Sequence, residues 1–363
     1  MLKRFCLLMF SFLLSLNSFS QETISWPSPE VEQMYKQARE YLTKGAVQQS
    51  VILLKQAIQL APDVLPLHRD LANALNLTGN FKESYETIAP VIKNNQADEQ
   101  TYQIAATALQ GMKEKKKAKS TLENGLRAFP QSGMLYHEMG KYYESGNDMD
   151  NALQSWLQGI EKAPAYHLNY YAAAQTYFNT SRPLWTILYG EMFVNMERHT
   201  HRSLELRKQI LKAYQKVFSN ISPAEVPKYG STSAAAESDN FEKAVLQTLM
   251  QLSPVVSDGF TTDNLTMLRT RFIMDWTTNG FMQKYPFTLF TYHDRLIRDG
   301  EFEAYHQWLF GKVENEKLYE AWTKFHAETM PYFESWAKSN KYTPSATDFY
   351  NTGDLKTLFQ KKK

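Results

Sequence analysis

The chain has 363 residues, 43% of them hydrophobic, enough for about two domains or for one repeat array with an appendage. Its formal charge of +2 comes from Lys3 and Arg4; without them 38 basic and 38 acidic residues balance, so no general attraction to nucleic acid or anionic lipid is expected. Cys6, the single cysteine, rules out a disulfide within the chain and any cysteine-based metal site.

Residues 1–20 read as a secretory signal peptide. Lys3 and Arg4 precede an apolar run from Phe5 to Leu16 that is too short to span a bilayer comfortably. Ser18 and Ser20 then put small residues just before Gln21, where a peptidase would cut. Cleavage after Ser20 implies a periplasmic or secreted protein without stable membrane insertion; an uncleaved anchor is the other reading. Residues 21–30 form a lead-in, with Ser28 placed as a helix cap and Pro29 as the first helical residue.

From Val31 onward one pattern returns every 34 residues. Small residues recur at Ala38, Ala72, Ala106, Gly140 and Ala174, and again at Ser50, Ser84, Ala118 and Ala152. Large residues recur at Leu54, Ile88, Leu122 and Trp156. Pro62, Pro130 and Pro164 close the units, with Gln96 and Arg198 in the corresponding places of two others. Turns are expected at Gly45, Thr78-Gly79-Asn80, Gly111 and Ser145-Gly146-Asn147-Asp148, where glycine or asparagine tolerates a positive φ.

This period and its small positions resemble the tetratricopeptide repeat family over residues 31–198, as four clear repeats and a degraded fifth. The early tryptophan often found in that family is replaced by His68, Tyr102, Tyr136 and Tyr170. The resemblance implies an all-α solenoid of helical hairpins stabilised by neighbour interfaces. It also implies that the first helices line a concave face where a protein or peptide partner binds. The residues placed to face that groove are Tyr35, Arg39, Arg69, Asn73, Gln103, Thr107, His137, Lys141, Tyr171 and Gln175. Arg39, Asn73 and Lys141 only partly match the lysine and asparagine set with which family members clamp a terminal carboxylate. Trp185, Tyr189 and Phe193, four apart on one helix, read as core.

Residues 199–219 are amphipathic and charged, as befits a helix capping the stack with a polar outer face. Residues 220–238, with Pro223, Pro227 and a small polar run, read as a linker. Residues 239–363 read as a helical, aromatic-rich C-terminal domain with helices near Asp239–Leu252, Asp263–Thr278, Phe287–Arg298, Glu301–Phe310 and Glu314–Met330, and Pro331 kinking or restarting the last. Leu318, Trp322, Phe325, Tyr332 and Trp336 share helical spacing; an aromatic core is expected, a docking surface or aromatic-lined pocket being the alternative.

Little in the sequence points to catalysis. His293-Asp294, His306 and His326 with Glu328 fit no zinc-helix spacing, and His199 and His201 read as a solvated pair. The basic run from Lys113 to Lys119 flanks the packed Ala118 and reads as a solvated face. No cofactor, metal or catalytic residue is assigned. The leader ending in Ser-Gln resembles those of exported Bacteroidetes proteins. The sequence thus points to an exported, non-enzymatic scaffold binding a protein partner in the cell envelope. A small enzyme or glycan-binding module in the aromatic C-terminal region, docked by the repeats, is the alternative.

Overall fold

The structure is a computed structural model that describes residues 25–220 and 237–351. The expected signal peptide and nearly all of the expected linker lie outside the described residues. Among the described residues the fold is all-α, without strands. Helices α1 (Pro29–Thr43) and α2 (Val47–Leu60) form a first hairpin, followed by α3 (Leu65–Leu77) with α4 (Phe81–Lys93) and α5 (Glu99–Gly111) with α6 (Lys115–Ala128). Then come α7 (Gly133–Ser145) with α8 (Met149–Lys162), and α9 (His167–Tyr177) with α10 (Leu184–Met196). Ser28 does cap α1, its Oγ accepting from the Val31 amide at 3.3 Å.

The small positions are where the helices meet. Ala38, Ala72, Ala106 and Ala174 are fully or almost fully buried, as are Ser50, Ser84, Ala118 and Ala152. Two hydroxyls in the second helices bind the first: Ser84 Oγ donates to the Ala72 carbonyl at 2.7 Å, and Thr186 Oγ1 to the Ala174 carbonyl at 3.0 Å. At Gly140 a Cβ would sit 2.1 Å from Trp156 Nε1, because tryptophan fills the gap that Leu122 fills one repeat earlier. The indole instead donates to the His137 carbonyl at 3.2 Å.

The turns follow the same period. Positive φ recurs at Gly45, Gly79, Lys113 and Asn147, one step apart (75°, 78°, 63° and 60°). In the third turn the left-handed residue is therefore Lys113, and Gly111 ends α5 because a Cβ there would meet the Phe81 ring at 2.3 Å. Between hairpins, Ala61, Phe129 and Ala163 leave the helical region (φ −145°, −128° and −140°, ψ 69°, 72° and 69°), since a following proline disfavours the α conformation. Where Gln96 replaces the proline, Asn95 swings to φ 57° instead.

The later helices close around α10. They are α11 (His201–Asn220), α12 (Glu237–Gln251), α13 (Thr262–Thr278), the short α14 (Phe281–Lys284) and α15 (Thr288–Arg298). Next, α16 (Phe302–His306) runs through a π turn (Gln307–Gly311) into α17 (Lys312–Glu314), followed by α18 (Glu316–Phe325) and α19 (Thr329–Ser339). The helix expected over Glu314–Met330 is split. Pro331 sits in the first turn of α19, where its missing N–H leaves no helical bond unmade.

One apolar cluster runs from Ala152 through α10 to Tyr342, so the fifth hairpin and the C-terminal helices share a core. Trp185, Tyr189 and Phe193 are fully buried in it, as expected. Helix α11, expected to end the stack, packs on α10 and on the C-terminal helices, with Tyr214 edge-on to Phe310 at 6.1 Å. The aromatic-core expectation for α18 and α19 is corrected: Leu318, Phe325 and Tyr332 are 63%, 88% and 64% exposed. Helical spacing fixes a common face but not what that face meets. Trp322 and Trp336 are half-buried, their indoles donating to rim carboxylates of Glu303 (3.3 Å) and Asp299 (2.8 Å).

Polar bonds lock the seam. Glu191, at the centre of α10, pairs with Arg269 of α13 and accepts from His293 Nε2 at 2.7 Å and the Tyr305 hydroxyl at 2.6 Å. Burial pushes the Glu191 pKa up, but the Arg269 charge and the His293 and Tyr305 bonds outweigh it and hold it well below the usual carboxylate range. Arg182 pairs with Glu242, its Nε 3.1 Å from Oε2, and Asn351 Nδ2 donates to the Tyr177 hydroxyl at 2.6 Å.

Gly140→Ala should destabilise the protein by about 1–3 kcal/mol, since Trp156 must leave its rotamer; urea denaturation checks this. Glu191→Leu leaves the Arg269 charge buried and unpaired and should cost about 3–5 kcal/mol, while adding Arg269→Met to it should restore most of that loss.

Candidate functional site

The ten residues expected in the groove occupy two positions per first helix, four apart, and hence share one face of each helix. Helices α3, α5, α7 and α9 contact one another in succession and form the inner layer of the stack. The structure separates the ten into two groups.

Of those nearer the amino end, Arg39 and Arg69 reach carboxylates beyond their own helix and the rest do not converge on one opening. Tyr35 is 5% exposed, packs on Trp26 with ring centroids 4.8 Å apart, and its hydroxyl accepts from Arg39 Nη1 at 3.3 Å. Arg39 is exposed and reaches Asp70 of the next hairpin at 3.9 Å. Arg69 pairs with Asp98, whose other oxygen caps α5 by accepting from the Thr101 amide at 2.7 Å. Asn73, Gln103 and Thr107 are half-buried, the Thr107 hydroxyl donating to the Gln103 carbonyl at 3.0 Å.

The other four converge. His137, Lys141, Tyr171 and Gln175 line a single cleft of about 490 Å³ whose walls include Trp156 and Arg202. Gln175 Nε2 donates to the Tyr171 hydroxyl at 2.9 Å, which orients both. Lys141 Nζ lies 3.1 Å from both oxygens of the buried Glu138 and is half in solvent. Arg202 is held by a two-point bond to Glu197 at 3.0 and 3.1 Å, with its guanidinium 6.0 Å from the Tyr171 ring centroid. Burial, with the charges of Lys141, His167 and Arg202 adding to it, pushes the His137 pKa down to about 4. His137 is therefore a neutral polar wall at physiological pH. The cleft offers two cations, each also held by a carboxylate, the carboxylate of Glu144, several aromatic surfaces and amide and phenol groups, a mixed polar and apolar lining.

Arg202 and Gln209 enter the cleft from α11, outside the repeat register, so the 34-residue spacing carried no signal of them. Trp156 was in register but read as a packing residue, and Glu144 was not singled out by the repeat pattern.

The histidines weighed for chemistry are not brought together. His293 is buried against Glu191, His306 is buried with Nδ1 bonded to the Phe302 carbonyl at 2.7 Å, and His326 lies at the surface stacked on Trp322. Among the described residues no group of three or more His, Cys, Asp or Glu side chains is arranged to hold a metal ion. No helix among them is long and apolar enough to cross a membrane. His199 and His201 are largely exposed, and Ala118 is buried beneath the Lys113–Lys119 run as the repeat register required.

No family model matches the chain. It is 25% identical over 131 residues to the BBSome complex member BBS4 of Bos taurus, a stretch covering 36% of this chain and 25% of that protein. The chain thus spans about a quarter of the length of that relative. Among solved structures it is similar to a tetratricopeptide protein of Thermus thermophilus (16% identity, 51% of this chain and 99% of that one, TM-score 0.42). PilF of Pseudomonas aeruginosa is 14% identical over 62% of this chain and 91% of its own, with a TM-score of 0.42. A tetratricopeptide repeat protein of Parabacteroides merdae is 15% identical over 70% and 94%, with a TM-score of 0.37.

A histidine whose folded pKa lies below its unfolded value binds fewer protons when folded, so its contribution is complete above the unfolded pKa and is lost as pH falls. For His137 that loss runs from about 6.5 down through about 4. Its imidazole resonances should titrate near the lower value, and wild type should lose more stability than His137→Gln between those two limits, as measured by denaturation at each pH.

Proposed function

We propose that the chain is an exported, non-enzymatic tetratricopeptide-like scaffold that holds a protein or peptide partner in the cell envelope. Its main grip is the cleft formed by α7, α9 and α11. What carries this reading is the convergence of His137, Lys141, Tyr171 and Gln175, expected from repeat register alone, on one cleft of about 490 Å³. Lys141 and Arg202 favour an acidic side chain on the partner, and Tyr171 and Trp156 offer it an apolar seat. Of the amino-terminal groove residues, Arg39 and Arg69 are already engaged by Asp70 and Asp98, which tie neighbouring hairpins together. Export is supported by the basic and apolar pattern of residues 1–20.

Crosslinking in cells followed by pull-down from envelope fractions tests the site. Lys141→Glu with Tyr171→Ala should lower recovery of the main partner by about tenfold, the effect of removing one hot spot. Lys116→Glu, on the outer surface of α6, should leave it unchanged. Equal recovery with all three proteins would place the contact elsewhere.

A further inference from the structure

A second opening, unused by the groove, lies where α9 and α10 face α19. Its volume is about 840 Å³, within the range of sites for small organic molecules. One wall comes from the start of α9, the end of α10 and the turn at Arg198; the other comes from α19 and residues 341–344. It therefore exists only because the repeats and the C-terminal helices share a core.

The charge of this cleft is one-sided. Arg198 stands at the register position of Pro62, Pro130 and Pro164. Its Nη2 lies 3.3 Å from both Glu334 oxygens and its guanidinium 4.1 Å from the Trp308 ring centroid. Glu334, the lone carboxylate among the described lining residues, is thus matched by Arg198 and approached by His199 at 3.8 Å. Lys338 and Lys341 remain, both exposed, with no carboxylate within ion-pair distance among the described residues. Lys338, in the last turn of α19, complements the helix dipole; Lys341 lies beyond the helix and has no such local role. Like charges on a cleft with apolar walls focus the field onto whatever enters.

A buried amide borders the opening. Asn195 is 6% exposed and lines the cleft. Its Nδ2 donates to the Tyr305 hydroxyl at 2.7 Å and to the Glu191 carbonyl at 2.8 Å, which fixes the amide, and its Oδ1 is buried away from solvent. Met196, Ala337, Tyr292 and Tyr342 supply apolar surface between the amide and the lysines.

We infer that this cleft binds a small organic anion, with a carboxylate or phosphate group at Lys338 and Lys341 and an apolar body against Tyr292 and Met196. The anion comes either from a free small acid or from the terminal carboxylate of a short peptide.

The probe is 8-anilinonaphthalene-1-sulfonate, an anion with an aromatic body, titrated by fluorescence and calorimetry against the full chain. N-phenyl-1-naphthylamine serves as its uncharged counterpart. Lys338→Glu with Lys341→Glu, both at the surface, should lower the thermal melt by no more than about two to four degrees, from the reversed helix-end charge, and weaken the anionic probe by about tenfold or more. The uncharged probe should bind wild type and variant alike. Phe325→Ser, on the exposed face of α18, should leave the anion's affinity unchanged. Displacement by octanoate identifies a free acid as the fitting source, and displacement by an acetylated tetrapeptide with a free carboxylate identifies a chain end. Equal affinity in the double lysine variant, or loss of binding in Phe325→Ser alone, overturns the assignment.

Discussion

A carboxylate buried halfway along α10 constrains what can surround that helix. Taking Glu191 out of water is tolerable only if a cation and further donors come with it, and Arg269, His293 and Tyr305 supply them from three separate helices. Helix α10 must therefore have α13, α15 and α16 against it whenever it is folded. It is also the second helix of the fifth hairpin, bound to α9 through Thr186 and Ala174. One helix thus belongs to two packing systems, and that double membership makes repeats and C-terminal helices a single body.

The repeated half was legible because close packing leaves few options. Where two backbones approach, small residues fit best, and alanine, glycine, serine and once threonine return at a fixed step. Three of the four turns were legible in residue as well as place, at Gly45, Gly79 and Asn147; in the other a search for glycine stops at Gly111, while the left-handed conformation falls on Lys113. The seam was not legible. Glu191 meets Arg269, Arg182 meets Glu242, and Tyr177 meets Asn351 across long stretches of chain without any period. The available signal was α10 itself, whose sequence LWTILYGEMFVNM is apolar on every side, as suits a helix with no solvent face.

The cleft at α7 and α9 shows the same division. His137, Lys141, Tyr171 and Gln175 follow from register, because a side chain four residues along a helix returns to the same face. Arg202 follows from nothing in the register, since α11 reaches the cleft by tertiary packing. Tyr35 and Arg69 share the register but not the exposure, because Trp26 covers one and Asp98 engages the other. Periodicity locates a face; neighbours decide whether it is free. The outward face of α18 makes the point in reverse, for Phe325 is apolar, in phase with its neighbours, and left in solvent.

The shared helix also sets how such a chain can grow. Each hairpin before α9 presents to its successor nearly the surface its predecessor presented to it, so a duplicated unit inserted there finds both of its partners ready. Beyond α10 no such vacancy exists, since every side of that helix is already committed. Lengthening among the early hairpins would carry the amino end farther from α11 while leaving the cleft around Tyr171 as it is. Reach and recognition can then vary independently along one lineage.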